Sequence, residues 1–321
     1  MANNKLVSVI MPVYNTRPDY LHTSISSVAM QQGIDPRDME LVMIDDFSDP
    51  AYQRETECVV KEFRVRYPNL SILLDPNHNE KGAGNARNTG ISMSNGKYIS
   101  LLDSDDALLP DAIKKSYNEM EKSNQTLVAF SDHIKTDETL TNPIYKRNKR
   151  DLFILHGLYK NTLQDPLLHM LFTGPLKTLR RETIEAVGGY MNYRIGEDFN
   201  LLLRLSHLTP EIIFSHIAEP LYLYRTNPDS LTSKRDETIK SDEEMLFPTL
   251  IELGHDISSI RFFGKVKPQY NFYDLFDKSG ELVDVPWLDR ETKSIIPHQE
   301  MPVFETHQTI AVQPMRSYAL G

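Results

Sequence analysis

Residues 99–106 read I-S-L-L-D-S-D-D, an apolar run from Ile99 that ends in three carboxylates, Asp103, Asp105 and Asp106. A short Ile/Leu run flanked by turn-forming residues predicts a buried strand, with the carboxylates falling where that strand leaves its sheet. Open α/β sheets bind ligands at that edge. On extended backbone Asp103 and Asp105 would point one way and Asp106 the other. Two converging carboxylates repel unless a cation sits between them, and hard oxygen ligands suit Mg²⁺ or Mn²⁺. Taken alone, the stretch reads equally well as an acidic turn.

Upstream of it the pattern is regular. Leu6–Val13 predicts a strand broken at Tyr14–Pro18, and Leu21, Ile25, Val28 and Ala29 give the next helix one apolar face. Leu41–Ile44 predicts a second strand, stopping at Asp45-Asp46. A helix follows, carrying Val59, Val60, Phe63 and Tyr67, and then a third strand over Ser71–Leu74. This β-α-β-α-β alternation predicts an α/β fold with a parallel, right-handed, doubly wound sheet.

Gly82–Gly90, G-A-G-N-A-R-N-T-G, fits neither G-x-G-x-x-G nor G-x-x-x-x-G-K-[ST]. It reads as a flexible loop with Arg87 at a helix start, both features favouring an anion. Downstream, Pro110-Asp111 opens a helix through Ile113, Tyr117 and Met120, and Leu127–Phe130 is a further strand. From about Lys135 to Asp165 polar residues dominate, which predicts a long segment over the site. Gly188-Gly189 then caps a short helix, and Glu197-Asp198 opens another, with Leu201, Leu202 and Leu205 on the same face as Asp198. By itself an E-D pair at a helix start does no more than complement the helix dipole.

With 321 residues the chain predicts one large α/β unit plus an appendage. Lys and Arg number 35 against 45 Asp and Glu, a formal charge of −10, which does not attract nucleic acid or anionic lipid. Cys58, the single cysteine, excludes an internal disulfide and a multi-cysteine zinc site, and its helical context predicts a core thiol. No charged-then-apolar leader precedes the first strand and no run is long enough to span a bilayer, so the expected protein is soluble and cytoplasmic.

The blocks V-S-V-I-M-P-V-Y-N, I-D-D-F-S, G-N-A-R-N-T-G, L-L-D-S-D-D and G-E-D-F-N-L-L-L-R-L, in this order, resemble the family 2 glycosyltransferases of GT-A fold, over about Leu6–Thr232. That resemblance implies a mostly parallel sheet flanked by helices. It implies a GT-A domain over 1–234, with a nucleotide-binding half at 1–110 and an acceptor half at 111–234. Residues 235–321 are left as a helical or hairpin C-terminal extension.

The resemblance also implies roles. Pro12, Tyr14 and Asp46 would line the nucleobase pocket, Arg87 would sit beside the nucleotide, and Asp103 would approach the ribose. Asp105 would ligate Mn²⁺ or Mg²⁺ bridging the phosphates, with Asp106 in support. Asp198 would be the catalytic base toward the acceptor hydroxyl, and Glu197 and Arg225 would stand among the substrate-binding residues. The implied partners are a nucleotide-sugar donor, with a UDP-sugar favoured, and a saccharide or glycoconjugate acceptor. One base and no second carboxylate placed as nucleophile suit inversion.

Two departures stand out. Asn227 occupies a place where the family pattern carries His, and Phe47 one usually held by a small residue, so an altered turn is expected beside the nucleobase. The extension carries a charged linker helix over Lys234–Glu244 and a hairpin across Lys278-Ser279-Gly280, and is placed on the core, on a partner or at a homodimer contact. Two other readings compete. A sugar-phosphate nucleotidyltransferase needs a glycine-rich basic loop after the first strand, which P-V-Y-N-T-R-P does not supply. A non-catalytic nucleotide-sugar-binding module fits poorly with a chain that keeps both Asp105 and Asp198.

Overall fold

The structure is a computed structural model that describes residues 5–147, 174–206, 208, 213–226 and short pieces between 244 and 295. Its first half runs β1 (Val7–Val13), α1 (Pro18–Ala29), β2 (Met39–Asp45), α2 (Pro50–Arg66), β3 (Ser71–Pro76), α3 (Ala83–Met93) and β4 (Tyr98–Leu101). Then come β5 (Ala107–Leu108), α4 (Ala112–Glu121), β6 (Thr126–Thr136), β7 (Pro143–Arg147), β8 (Lys177–Arg180), α5 (Arg181–Ala186), α6 (Glu197–Ser206) and β9 (Ile213–Arg225). These strands form one sheet in the order β3-β2-β1-β4-β8-β6-β9-β5, with β7 paired to β6.

The chain is α/β, as the alternation predicts. Strands β3, β2, β1 and β4 are mutually parallel, and β9 is parallel to β6. β8 runs antiparallel between β4 and β6, and β5 and β7 are antiparallel additions to β9 and β6. Most strands thus point one way, and the sheet is mixed beyond β4.

Side-chain alternation sorts the core into two layers. Val7, Val9, Met11 and Val13 of β1 pack with Leu21, Ile25 and Val28 of α1 and with Val60, Phe63, Ile113 and Met120 of α2 and α4. Ile10 faces the other way, with Val42, Ile44, Ile99 and Leu101, toward α3, α5 and α6. Because both faces are covered, the strands read as continuous apolar runs.

Two expectations need correction. The stretch expected as a glycine loop is helix from Ala83 onward, so Arg87 lies inside α3 and not at its start. The glycines serve packing. A Cβ on Gly90 would lie 2.8 Å from Ile10 Cγ2 and 3.2 Å from Ile44 Cγ1, so α3 sits closer to the sheet than a larger residue allows. Gly90→Val is expected to destabilise the protein by about 1–3 kcal/mol, measured as a lower urea midpoint with unchanged slope. Cys58 is helical but exposed on α2, not a core thiol.

In the extension, β10 (Ile257–Val266) pairs antiparallel with β11 (Tyr270–Asp277). The turn over Lys278–Gly280 forms, with Asp277 N donating to Glu281 O at 2.9 Å, but the partner of β11 precedes it in the chain. Most of the expected linker helix, Asn227, and the span 148–173 of the expected segment over the site lie outside the described residues; the start of that segment is strand, β7. Among the described residues no helix is long and apolar enough to cross a membrane.

Candidate active site

The carboxyl ends of β1, β2, β3 and β4, the body of α3 and the start of α6 meet at one edge of the sheet, and three groups of predicted residues gather there. The first lies beyond β1 and β2. Pro12 is inside β1, in register with Ile44, and Tyr14 just past it is exposed, with Lys81 Nζ 3.5 Å above its ring. Asp46 is buried and accepts hydrogen bonds from Asn77 Nδ2 at 2.7 Å and from Gly82 N at 3.1 and 3.0 Å on its two oxygens. It thereby ties the loop before α3 to the end of β2. Asn77 is itself held, accepting from Thr89 Oγ1 of α3 at 2.9 Å.

Phe47 beside Asp46 is exposed and has φ 62°, and Asn15 across the mouth has φ 46°. Both are left-handed, a conformation that costs a bulky residue on the order of 1–3 kcal/mol and that concentrates at functional sites. Phe47 therefore adopts the backbone for which glycine is the ordinary solution, with an aromatic ring added at the rim.

The second group is the acidic stretch. Residues 103–106 form a turn, Asp106 N donating to Asp103 O at 3.1 Å, rather than the extended segment expected from alternation. Asp106 still points away from the cleft. The residue is 2% exposed, and its carboxylate accepts from Tyr222 Oη and from Arg225 N, each at 2.7 Å. The Tyr222 hydroxyl also accepts from Asp103 N at 3.3 Å, so β9 staples both ends of the turn.

Arg225 is buried, and its guanidinium donates to the main-chain carbonyls of Asp105 and Glu138 while stacking 3.9 Å from the Tyr20 ring. The structure therefore places Arg225 as a brace of the acidic turn. Its neighbour Tyr20 donates to Glu138 Oε1 at 2.5 Å, and burial together with that bond pushes the Tyr20 hydroxyl up to about 12.

The turn concentrates negative charge. Burial, with Asp105 and Asp103 adding repulsion, pushes the Asp106 carboxyl well above the usual range. A divalent cation relieves that condition. Among the described residues no cluster of three His, Cys, Asp or Glu side chains is built to hold a metal. The donor set fits the other way in which Mg²⁺ and Mn²⁺ are held, by one or two carboxylates plus substrate phosphates. Asp105 would be the carboxylate for that role, with Asp106 behind it in the same turn.

The third group surrounds Arg87, whose side chain is 7% exposed. Its guanidinium reaches Asp103 Oδ1 at 3.0 Å, Glu197 Oε1 at 2.8 Å and Asp198 Oδ1 at 3.3 Å. One arginine of α3 thus gathers the end of β4 and the start of α6 into a single centre. Leu201, Leu202 and Leu205 are buried below, which fixes the face that α6 presents. Arg87 also lies 5.5 Å over the Tyr190 ring.

Lys177, a residue the sequence reading passed over, adds a second cation, with Nζ 2.8 Å from Asp198 Oδ2. Burial opposes the charge on Asp198, yet Lys177 and Arg87 hold its carboxyl well below the usual range. Glu197 goes the other way, raised by burial against the pull of Arg87. The only forewarning in the sequence was a lysine between the apolar residues Leu176 and Leu179.

Residues 8–188 match the family described as glycosyl transferase family 2. Over 129 residues, 39% of this chain, the sequence is 40% identical to the poly(ribitol-phosphate) beta-N-acetylglucosaminyltransferase TarP of Staphylococcus aureus. This chain spans 41% or less of the length of three curated relatives that it matches, TarP among them. Among solved structures, TarS residues 1–349 of S. aureus in complex with UDP-GlcNAc has a TM-score of 0.58 at 17% identity, over 79% of this chain and 68% of that one. The mannosyltransferase PcManGT of Pyrobaculum calidifontis, in complex with GDP-Man and Mn²⁺, has a TM-score of 0.54 at 17% identity, over 79% of this chain and 65% of that one. At these identities the likeness is one of fold.

Proposed function

The chain belongs to glycosyl transferase family 2, and from that premise we propose that it transfers a sugar from a nucleoside diphosphate to a hydroxyl group, with inversion, in the synthesis of a polysaccharide or a polyol-phosphate glycoconjugate. A UDP-sugar is the favoured donor. UDP-N-acetylglucosamine is the first to test, since TarP is named for N-acetylglucosamine transfer and TarS is seen with that donor. The observation that carries the reading is the Arg87 bridge, which joins Asp103 of the acidic turn to Asp198 at the start of α6. A carboxylate beside the donor and a carboxylate for the acceptor thereby share one cleft.

The roles follow from that arrangement. Asp46 and the loop it fixes, with Tyr14 at the rim, form the floor for the base. Asp103 stands toward the ribose, and Asp105 presents the carboxylate that holds Mn²⁺ or Mg²⁺. When bound there, the ion supplies positive charge opposite the diphosphate, where negative charge develops as the donor bond breaks. Asp198 accepts the proton of the acceptor hydroxyl while that oxygen bonds to the anomeric carbon, and the electron pair of the broken bond leaves on the diphosphate. Tyr222 and Arg225 keep the turn in place from beneath.

The test is release of UDP from UDP-N-acetylglucosamine in the presence of Mn²⁺, with and without poly(ribitol phosphate) or a saccharide acceptor, and mass analysis of the acceptor. Acceptor-stimulated UDP release with a matching mass increment supports the reading. A folded protein that consumes no nucleotide-sugar under any combination sinks it.

A further inference from the structure

Asp198 is gripped at both oxygens by cations from different elements, Lys177 Nζ of β8 at 2.8 Å and Arg87 Nη1 of α3 at 3.3 Å. Its side chain is still 31% exposed, so the grip leaves part of it accessible. Lys177 has no such freedom, its side chain being 8% exposed. A buried ammonium is costly unless it is paired, so the lysine is committed to that carboxylate. Among the described residues, the charged and titratable groups around Asp198 are Arg87 from α3, Lys177 from β8, Tyr190 from the turn before α6, and Glu197 from α6 itself. Asp103, at the end of β4, is reached through Arg87.

Arg87 is shared by three carboxylates, Glu197 at 2.8 Å, Asp103 at 3.0 Å and Asp198 at 3.3 Å, so it does not single out Asp198 by distance. Lys177 breaks the tie. Glu197 and Asp198 are adjacent, and burial works against charge on both. We propose that Lys177 is the positioning residue for Asp198, holding it as the ionised and aimed member of an adjacent carboxylate pair; this rests on the reading of Asp198 as the base. Lys177 forms no bond to substrate and acts only through Asp198. Opposite directions for the two carboxyls fit this assignment, since neighbouring acids pushed apart by their environment divide between roles.

The test does not depend on turnover. In protein labelled with ¹³C at the aspartate carboxyls, the Asp198 signal is identified by its loss in Asp198→Asn. Lys177→Met is expected to raise the Asp198 titration midpoint by about 1–3 pH units, the effect of losing one adjacent opposite charge. Lys177→Arg is expected to leave it where the wild type has it. The acid limb of kcat/KM for UDP release from UDP-N-acetylglucosamine with Mn²⁺ moves up with it. Should Lys177→Met lose its melting transition, Lys177→Gln makes the same comparison.

A midpoint unmoved in a folded Lys177→Met overturns the proposal. Absence of turnover by the wild type would count against the functional reading, while the carboxyl titration still decides the role of Lys177.

Discussion

Asp198→Asn is expected to lower transfer by about 10²–10⁴-fold, the usual contribution of a positioned general base. Nucleotide binding should stay within a few-fold of wild type. Asparagine keeps the shape of the side chain and one acceptor oxygen but has no basicity for an alcohol proton. In the proposed arrangement the donor is held elsewhere, by the ends of β1, β2 and β4, so the loss belongs in kcat and not in the affinity for UDP. A lower melting temperature accompanies it, because Lys177 loses the charge it is paired with, and rates are compared below that temperature. Full transfer by Asp198→Asn would remove the base from Asp198.

The second large effect is at Asp105. Asp105→Ala is expected to abolish the metal-dependent part of nucleotide binding. The remaining carboxylates are engaged otherwise, Asp106 by Tyr222 and Arg225 and Asp103 by Arg87. Removing one negative charge also lessens the repulsion on Asp106, so the fold is expected to survive, and a melting curve checks this. If Asp105→Ala binds UDP with the same dependence on Mn²⁺ as the wild type, the metal is held elsewhere.

Much of this architecture is legible in the sequence, for physical reasons. The strands β1, β2 and β4 are buried on both faces and appear as apolar runs, and α6 shows its buried face through Leu201, Leu202 and Leu205. The acidic turn announces itself by three carboxylates after such a run. What escapes are segments whose partners lie far along the chain. β8, K-T-L-R, has no periodicity of its own. It is a strand because β4 and β6 flank it, with Ser100 and Thr178 hydroxyls 3.0 Å apart across the pairing. β6 outruns its apolar core because Ser131, Asp132 and His133 are buried against β9, where the register shifts.

Local propensity misleads at α3. Two glycines and two asparagines within G-N-A-R-N-T-G suggest a loop, yet contact with β1 and β2 at Gly90 makes the segment helical. That same contact carries Arg87 to the acidic centre. Arg225 and Asp106 show a different limit, since charge and position in the chain do not reveal which way a side chain turns. Both face inward and brace the turn.

The measurement that bears most directly on the account is calorimetric titration of the protein with UDP, GDP, dTDP and CDP, each with and without Mn²⁺. The account predicts that UDP binds with a Kd on the order of 1 μM, about −8 kcal/mol, and that this binding disappears when Mn²⁺ is withheld. A folded protein that binds none of the four nucleotides in the presence of Mn²⁺ would contradict it.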